Sequence, residues 1–361
     1  MYPRRRFLKT LLAGGTLLPA SAVFPNILCH PKKERLGVAL VGLGYYSTDL
    51  LAPALQLTQH CYLAGIVTGS PEKAKRWQQQ YKIPDKNVYD YNNFDRIADN
   101  PDIDVVYVVL PPSLHAPYAV RAANAGKHVW CEKPMARTEA ECVEIIRACA
   151  ANKVKLSIGY RMQHEPNTQA LMRYAREKPL GKILSVATEA GYTEGRSNHW
   201  KQQKSMGGGA MYDMGVYALQ GARYASGEEP IAVTARHSTR RPDIYKEVDE
   251  TTHFQLEFPS GAVAECLTSF GQGLNHLRVT AEKGWIDFSP FQAYSGINGR
   301  SSDGKVFDQH IPNQQAKQMD DDALSILHKK AVLVPGEEGQ RDIRIVEAIY
   351  KAAATGERVR L

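Results

Sequence analysis

No two of the six cysteines, Cys29, Cys61, Cys131, Cys142, Cys149 and Cys266, form a C-x-x-C pair. The spacing of a zinc knuckle or a redox dithiol is therefore missing, and no metal site is indicated. Cys142 and Cys149 lie seven apart in a helical pattern and Cys131 ends a strand-like run, which predicts small core hydrophobes. No apolar run is long enough to span about 30 Å of hydrocarbon, so no stable membrane anchor is expected. The formal net charge is +7, yet no basic stripe interleaved with aromatics stands out, and nucleic acid is not an expected partner. Internal repeats and low-complexity segments are missing too. What remains is a 361-residue chain, 43% hydrophobic and 23% charged, with the composition of a globular protein of about two domains and enough core to fold without disulfides.

The first 22 residues contain no acid but carry Arg4, Arg5, Arg6 and Lys9. Arg4–Lys9 fits the twin-arginine pattern R-R-x-F-L-K. A weakly apolar stretch follows, Thr10–Leu18, broken at Gly14 and Gly15, and after Pro19 comes the small-x-small sequence Ala20-Ser21-Ala22. This reads as a cleaved export signal over 1–22, an N-terminal arm over 23–34 and a periplasmic mature protein. The twin-arginine route moves folded proteins and suits an enzyme that acquires a cofactor before export.

Residues 35–158 alternate short apolar runs (Leu36–Val41, Tyr62–Val67, Val105–Leu110, His128–Cys131, Val154–Ile158) with helical stretches near 48–57, 71–81, 115–125 and 138–151. Continuous apolar strands separated by helices predict a parallel sheet covered on both faces, a doubly wound nucleotide-binding domain. In 159–361 a helix (Asn167–Glu177) leads to alternating strands, Ile231–Ser238, Thr251–Phe258 and Ala262–Phe270, with Pro259-Ser260-Gly261 as a turn. A helix at 211–225 interrupts the series, and two more close the chain near 313–329 and 339–354. The expected fold is an α/β Rossmann domain plus an α+β domain with a large, mostly antiparallel open sheet.

The first strand runs into Gly42-Leu43-Gly44-Tyr45-Tyr46-Ser47, a G-x-G turn with Ser47 where a third glycine often stands. Glycines there let the backbone approach a pyrophosphate at a helix N-terminus. The second strand ends at Thr68-Gly69-Ser70, where NAD sites usually carry an acid for the ribose hydroxyls. Hydroxyls followed by Lys73, Lys75 and Arg76 suit a 2′-phosphate, which an acid would repel, so NADP is favoured over NAD; those basic residues could equally form a solvated helix face. Two further strand ends carry Leu110-Pro111-Pro112-Ser113-Leu114-His115 and Glu132-Lys133-Pro134, at the edge where α/β sheets bind ligands. Then come Gly207-Gly208-Gly209 and Asp213-Met214-Gly215-Val216-Tyr217. Asp213 and Tyr217 share one helix face. Alone, that pair is compatible with a structural hydrogen bond; the flanking glycines point to close approach of a ligand or backbone.

Together, Gly42-x-Gly44, Glu132-Lys133-Pro134, the glycine triplet and Asp213-x-Gly215-x-Tyr217 resemble the Gfo/Idh/MocA oxidoreductases. Tyr217, where most members carry His, resembles the glucose–fructose oxidoreductase branch, as do Val41–Tyr46, Asn87–Asp95, Gly126–Met135, Gly159-Tyr160-Arg161 and Pro335–Gln340. The likeness covers about residues 35–361. It implies an open sheet that makes homo-oligomer contacts and a cis bond before Pro134. It places Thr68, Lys73, Lys75 and Tyr91 around a 2′-phosphate, and Gly42, Leu43, Gly44, Tyr45, Tyr46, Ser70, Leu110, Pro111, His115, Glu132 and Arg161 along the cofactor. Lys133 would lie near the nicotinamide ribose and the substrate, Tyr217 would be the general acid/base, and Asp213 would orient a sugar. Trp200 and Lys201 fall where relatives have Trp-Arg near the cofactor; Lys is a departure, since it lacks the planar fork of Arg. The short arm Val23–Glu34 is another, because the branch's longer arm wraps a neighbour and helps trap NADP.

The implied reaction moves a hydride from an aldose C1 to NADP and a proton to a base. Tyrosine is a poor base at its reference pKa of about 10, and a nearby Lys133 ammonium would stabilise the phenolate. Outside the cytoplasm, where free NADP is not expected, a second sugar can reoxidise the cofactor in a ping-pong cycle. Two other readings share these residues. One is a redox-assisted glycosidase, recognisable by cleavage of a nitrophenyl glycoside without net redox change. The other is a non-catalytic periplasmic sugar binder, against which Lys133, Asp213 and Tyr217 argue.

Overall fold

Runs in which every residue is apolar become strands covered on both faces. The computed structural model describes residues 33–361, so the twin-arginine segment and nearly all of the arm lie outside the described residues. β1 (Leu36–Val41) is buried at every position. It leads through the glycine turn into a π-helical stretch, Tyr46–Leu51, that continues as α1 (Ala52–Leu55). Then follow β2 (Cys61–Val67), α2 (Pro71–Tyr81), β3 (Val88–Tyr89), β4 (Val105–Val108), α3 (His115–Asn124), β5 (His128–Cys131), α4 (Glu139–Ala151) and β6 (Leu156–Ile158). These strands form one sheet in the order β3-β2-β1-β4-β5-β6, parallel throughout. Leu36 pairs with Cys61 on one side of β1 and Val38 with Val105 on the other. The winding reverses between β1 and β4, so the ligand crevice opens at their carboxyl ends.

Local chemistry sets the helix starts. Ser70 caps α2, with Pro71 at its first position, and Thr138 caps α4, each accepting from a backbone N–H that the helix leaves free. β4 stops at Val108, short of the expected Leu110, because Pro111 and Pro112 cannot donate to a ladder. Ala39 and Val41 face a core shared with α3 and α4. Leu36, Val38 and Leu40 face the opposite core with Trp77 and Trp130.

The second half begins with α5 (Pro166–Glu177) and β7 (Ile183–Thr193). A π-helical stretch, Met211–Gly215, then continues as α6 (Val216–Ser226). After it come β8 (Ala232–Ser238), β9 (Thr251–Glu257), β10 (Val263–Ser269), β11 (Gly271–Ala281), β12 (Gly284–Phe288), β13 (Gly299–Ser301), β14 (Val306–Phe307), α7 (Gln314–Leu327), α8 (Gly336–Thr355) and β15 (Val359–Arg360). The nine-stranded sheet runs β14-β13-β12-β11-β7-β10-β9-β8-β15. Its β7–β10 pair is parallel, Ser185 with Val263 through Gly191 with Ser269, and its other pairs are antiparallel. The fold is thus the expected Rossmann sheet plus a mostly antiparallel second sheet. α6 is buried along its whole length against one face of that sheet, packing on Val186, Phe254, Ala264 and Leu277.

The two closing helices return to the first half. Ala316, Met319 and Ala323 of α7 join the Rossmann core beside Leu40. α8 gives Ile343 to one core and Val346 and Ile349 to the other. Cys61, Cys131, Cys142, Cys149 and Cys266 are buried and unbridged.

Candidate active site

β1 delivers Gly42-Leu43-Gly44 to the carboxyl edge of the sheet. Gly42 sits at φ +91°, and a Cβ there would collide with the Val109 carbonyl, so the turn needs glycine. A Cβ on Gly44 would meet nothing within 4 Å, so its backbone faces open space beside the start of the helix that carries Tyr46. Ser47 Oγ donates to Gly42 O at 2.6 Å and ties that helix to the turn. An open backbone ahead of a helix N-terminus fits a pyrophosphate.

At the ends of β2 and β3, Ser70 N donates to Thr68 Oγ1 at 3.2 Å, and the Tyr91 ring lies against Gly69. Lys73 Nζ reaches back to Leu43 O at 3.0 Å and links the two loops. No carboxylate stands among Thr68, Gly69 and Ser70. These groups fit a phosphorylated ribose. Lys75 leaves α2 on a different side from Lys73, because residues two apart do not share a helix face, whereas Arg76 does share it.

His115 is buried with its ring nitrogens 2.8 Å from Pro134 O and 2.7 Å from Leu110 O. It binds the loop of Leu110 and Pro111 to the loop of Glu132 and Lys133, and burial lowers its pKa. Glu132 lies beneath the site, accepting from Tyr107 OH at 2.6 Å and from Lys133 N at 3.1 Å. Burial raises its pKa against the opposing pull of the Tyr107 bond. The Lys133–Pro134 bond is cis, as the resemblance implied.

Lys133, Asp213 and Tyr217 come together although 80 residues separate the first two. Lys133 Nζ donates to Asp213 O at 2.8 Å and lies 3.4 Å from Asp213 Oδ1. It also stands 4.8 Å from the centre of the Tyr217 ring. The Arg161 guanidinium lies 5.4 Å from that ring and 4.9 Å from the Tyr294 ring, and it donates to Ala293 O and Gln314 Oε1. Burial opposes the charge of both cations. For Lys133 the neighbouring Tyr217, Asp213 and Glu132 outweigh it and raise the pKa; for Arg161 the surrounding tyrosines do the same. Burial likewise opposes ionisation of Asp213, and Lys201 and Lys133 override it, holding the carboxyl below the usual range. Lys201 Nζ is 2.6 Å from Asp213 Oδ2 and stands beside the Trp200 ring.

Two further residues belong to this cluster. Tyr192, on β7, bonds both Lys201 and Asp213. Tyr294, in the loop after β12, stacks on Arg161 and lies 6.0 Å from the Tyr46 ring. No local signal in the sequence marks either Tyr192 or Tyr294. Tyr45, 63% exposed, stands outside the buried cluster. Among the described residues no group of three or more His, Cys, Asp or Glu is placed to hold a metal, and no helix is long and apolar enough to cross a membrane.

Comparison with known proteins agrees with this geometry. Residues 36–160 match the family model of oxidoreductases with an NAD-binding Rossmann fold, and 168–287 match the GFO/IDH/MocA C-terminal domain. The chain is 42% identical to aldose-aldose oxidoreductase from Caulobacter crescentus, solved with glycerol, at a TM-score of 0.87 over 91% of this chain and 100% of that one. It is 28% identical to the NADP+ D-xylose 1-dehydrogenase of Haloarcula marismortui over 90% of this chain and 92% of that protein. A levoglucosan dehydrogenase solved with NADH and levoglucosan shares the fold, at 24% identity and a TM-score of 0.78 over 90% of this chain and 99% of that one.

Proposed function

The chain belongs to the Gfo/Idh/MocA oxidoreductases, and on that premise we propose that it is an exported, NADP-dependent sugar oxidoreductase that oxidises an aldose at C1 and reduces a second sugar. The observation that carries this reading is the meeting of Lys133, Asp213 and Tyr217 at the carboxyl edge of the Rossmann sheet. Tyr217 takes the proton of the reacting hydroxyl. Lys133 and Arg161 flank its ring as cations, and the ionised Asp213 accepts a sugar hydroxyl. The low exposure of Lys133 and Asp213, 15% each, strengthens these charge interactions.

When bound, the nicotinamide supplies hydride acceptance from the sugar carbon and its return to a second sugar. Gly42, Gly44, Thr68, Ser70, Lys73 and Tyr91 would hold the dinucleotide, and the hydroxyls and ammonium at the end of β2 support NADP over NAD. The aldose–aldose cycle rests on the likeness to the Caulobacter enzyme and on the export signal. The outward face of the nine-stranded sheet, with Ala187, Arg236, His253, Glu265 and Leu267 around an open groove of about 570 Å³, supports a homo-oligomer contact.

The test is the absorbance spectrum of the purified protein, with NADP, on addition of a panel of aldoses. A reduced-nicotinamide band that rises with one aldose and decays when a second sugar is added is the expected result. No band with any aldose would remove the reading.

A further inference from the structure

We propose that Lys201 is a positioning residue of the sugar site: with Tyr192 it occupies one oxygen of Asp213 and leaves the other to the substrate. The proposal rests on the reading of Asp213 as the group that orients the sugar. Lys201 Nζ lies 2.6 Å from Asp213 Oδ2 and 2.8 Å from Tyr192 OH. Tyr192 OH in turn lies 3.2 Å from Asp213 Oδ2 and 3.0 Å from Glu194 Oε2. Oδ2 therefore accepts from the Lys201 ammonium and lies within reach of the single Tyr192 proton, for which Glu194 Oε2 competes. Oδ1 has only Lys133 Nζ at 3.4 Å, a long contact, and that ammonium makes its better bond to Asp213 O at 2.8 Å. The free acceptor of Asp213 thus lies on the side of Lys133, whose ammonium also stands beside the Tyr217 ring.

The glycine triplet supplies a second, independent observation. Gly209 N donates to Lys201 O at 2.9 Å, and a Cβ on Gly208 would collide with that same carbonyl. The glycines let the turn Trp200–Gln202 pack directly on the start of the helix that bears Asp213. The turn is fixed from behind: His199 caps it, Arg196 pairs with Glu194, and Arg241 donates to Glu194 O at 2.8 Å. With its ammonium engaged by Asp213 and Tyr192, Lys201 acts on the sugar site rather than on the nucleotide.

The groups facing Asp213 are Lys133, Lys201 and Tyr192, with His199 and Glu194 behind them. Loss of Lys201 removes a cation that keeps Asp213 ionised, so the acid limb of kcat/KM should move to higher pH. The experiment compares full-length wild type with Lys201→Met, Lys201→Arg and Tyr192→Phe, measuring aldose KM and kcat, the pH profile, and NADP affinity by calorimetry. Lys201→Met should raise the aldose KM about 10-fold or more, shift the acid limb upward, and leave NADP affinity within about twofold. Lys201→Arg should restore the acid limb by returning the charge. Tyr192→Phe should raise KM in the same direction by less, which keeps the test available if Lys201→Met folds poorly. An active wild type with either variant unchanged in KM and pH profile, or NADP affinity lost while aldose KM stays, overturns the proposal alone. A wild type that reduces NADP with no aldose overturns the functional reading and this proposal with it.

Discussion

The proposed choice of NADP can be tested at a single residue, Thr68. It is buried at the end of β2, and its hydroxyl accepts from Ser70 N beside Gly69 and Tyr91. Thr68→Asp would place a carboxylate where a 2′-phosphate is proposed to sit. Charge-assisted contacts are worth about 1.5–3 kcal/mol, so NADP should bind roughly 10- to 100-fold more weakly while NAD loses less. Titration of both nucleotides checks this, and an unchanged NADP-to-NAD ratio would move the 2′-phosphate elsewhere. Lys133→Ala is the companion test at the chemical centre. Lys133 touches both Asp213 and the Tyr217 ring, so its loss combined with Tyr217→Phe should cost much less than the product of the single losses, because the two groups act as a unit. Multiplicative losses in single-turnover rate would mean that they act separately.

At the scale of elements, α7 carries a pH dependence. Asp322 on its buried face accepts from Ser157 Oγ on β6 at 2.6 Å. Burial pushes its carboxyl up to about 6, with His164 and Ser157 opposing and Asp321 assisting. A folded pKa above the unfolded value means that this contribution to stability is full at low pH and is lost as pH rises through about 6. Asp322→Asn cannot ionise, so its Tm relative to wild type should climb between about pH 4 and about pH 6.5, by the equivalent of roughly 1–3 kcal/mol, and level off above. Parallel Tm curves would contradict this. The docking of α7 onto the Rossmann core was not legible in the sequence, since Asp322 and Ser157 are 165 residues apart. Strands β1, β2 and β5 and helices α2 and α4 were legible, because continuous apolar runs and capping residues are local signals. β3 was not: two residues cannot show a period. β7 and β11 were missed for another reason: glycines and adjacent polar residues interrupt the alternation that β9 and β10 show in the same sheet. The nucleotide turn could be read from its glycines, and Lys133, Asp213 and Tyr217 from the family resemblance. The joining of Lys201 and Tyr192 to Asp213 and the stacking of Tyr294 on Arg161 are products of tertiary packing.

For the molecule as a whole, export and assembly carry their own tests. Replacing Arg4, Arg5 and Arg6 with Lys should leave precursor in the cytoplasm, since the arginine pair is the feature read by the folded-protein export route; normal export of that variant would contradict the proposed compartment. Leu267→Arg on the outward face of the nine-stranded sheet should dissociate the proposed oligomer while leaving the fold intact, as sedimentation would show. An unchanged sedimentation coefficient would place the contact elsewhere. The account's central claim is that Tyr217 moves the sugar's proton. Tyr217→Phe removes one oxygen and little packing, and the groups proposed to hold the nucleotide lie elsewhere. The direct measurement is single-turnover reduction of bound NADP by an aldose in wild type and Tyr217→Phe. The account predicts unchanged NADP binding and a rate lower by about 10²–10⁴-fold, the usual range for general acid–base catalysis; reduction at near the wild-type rate would contradict it.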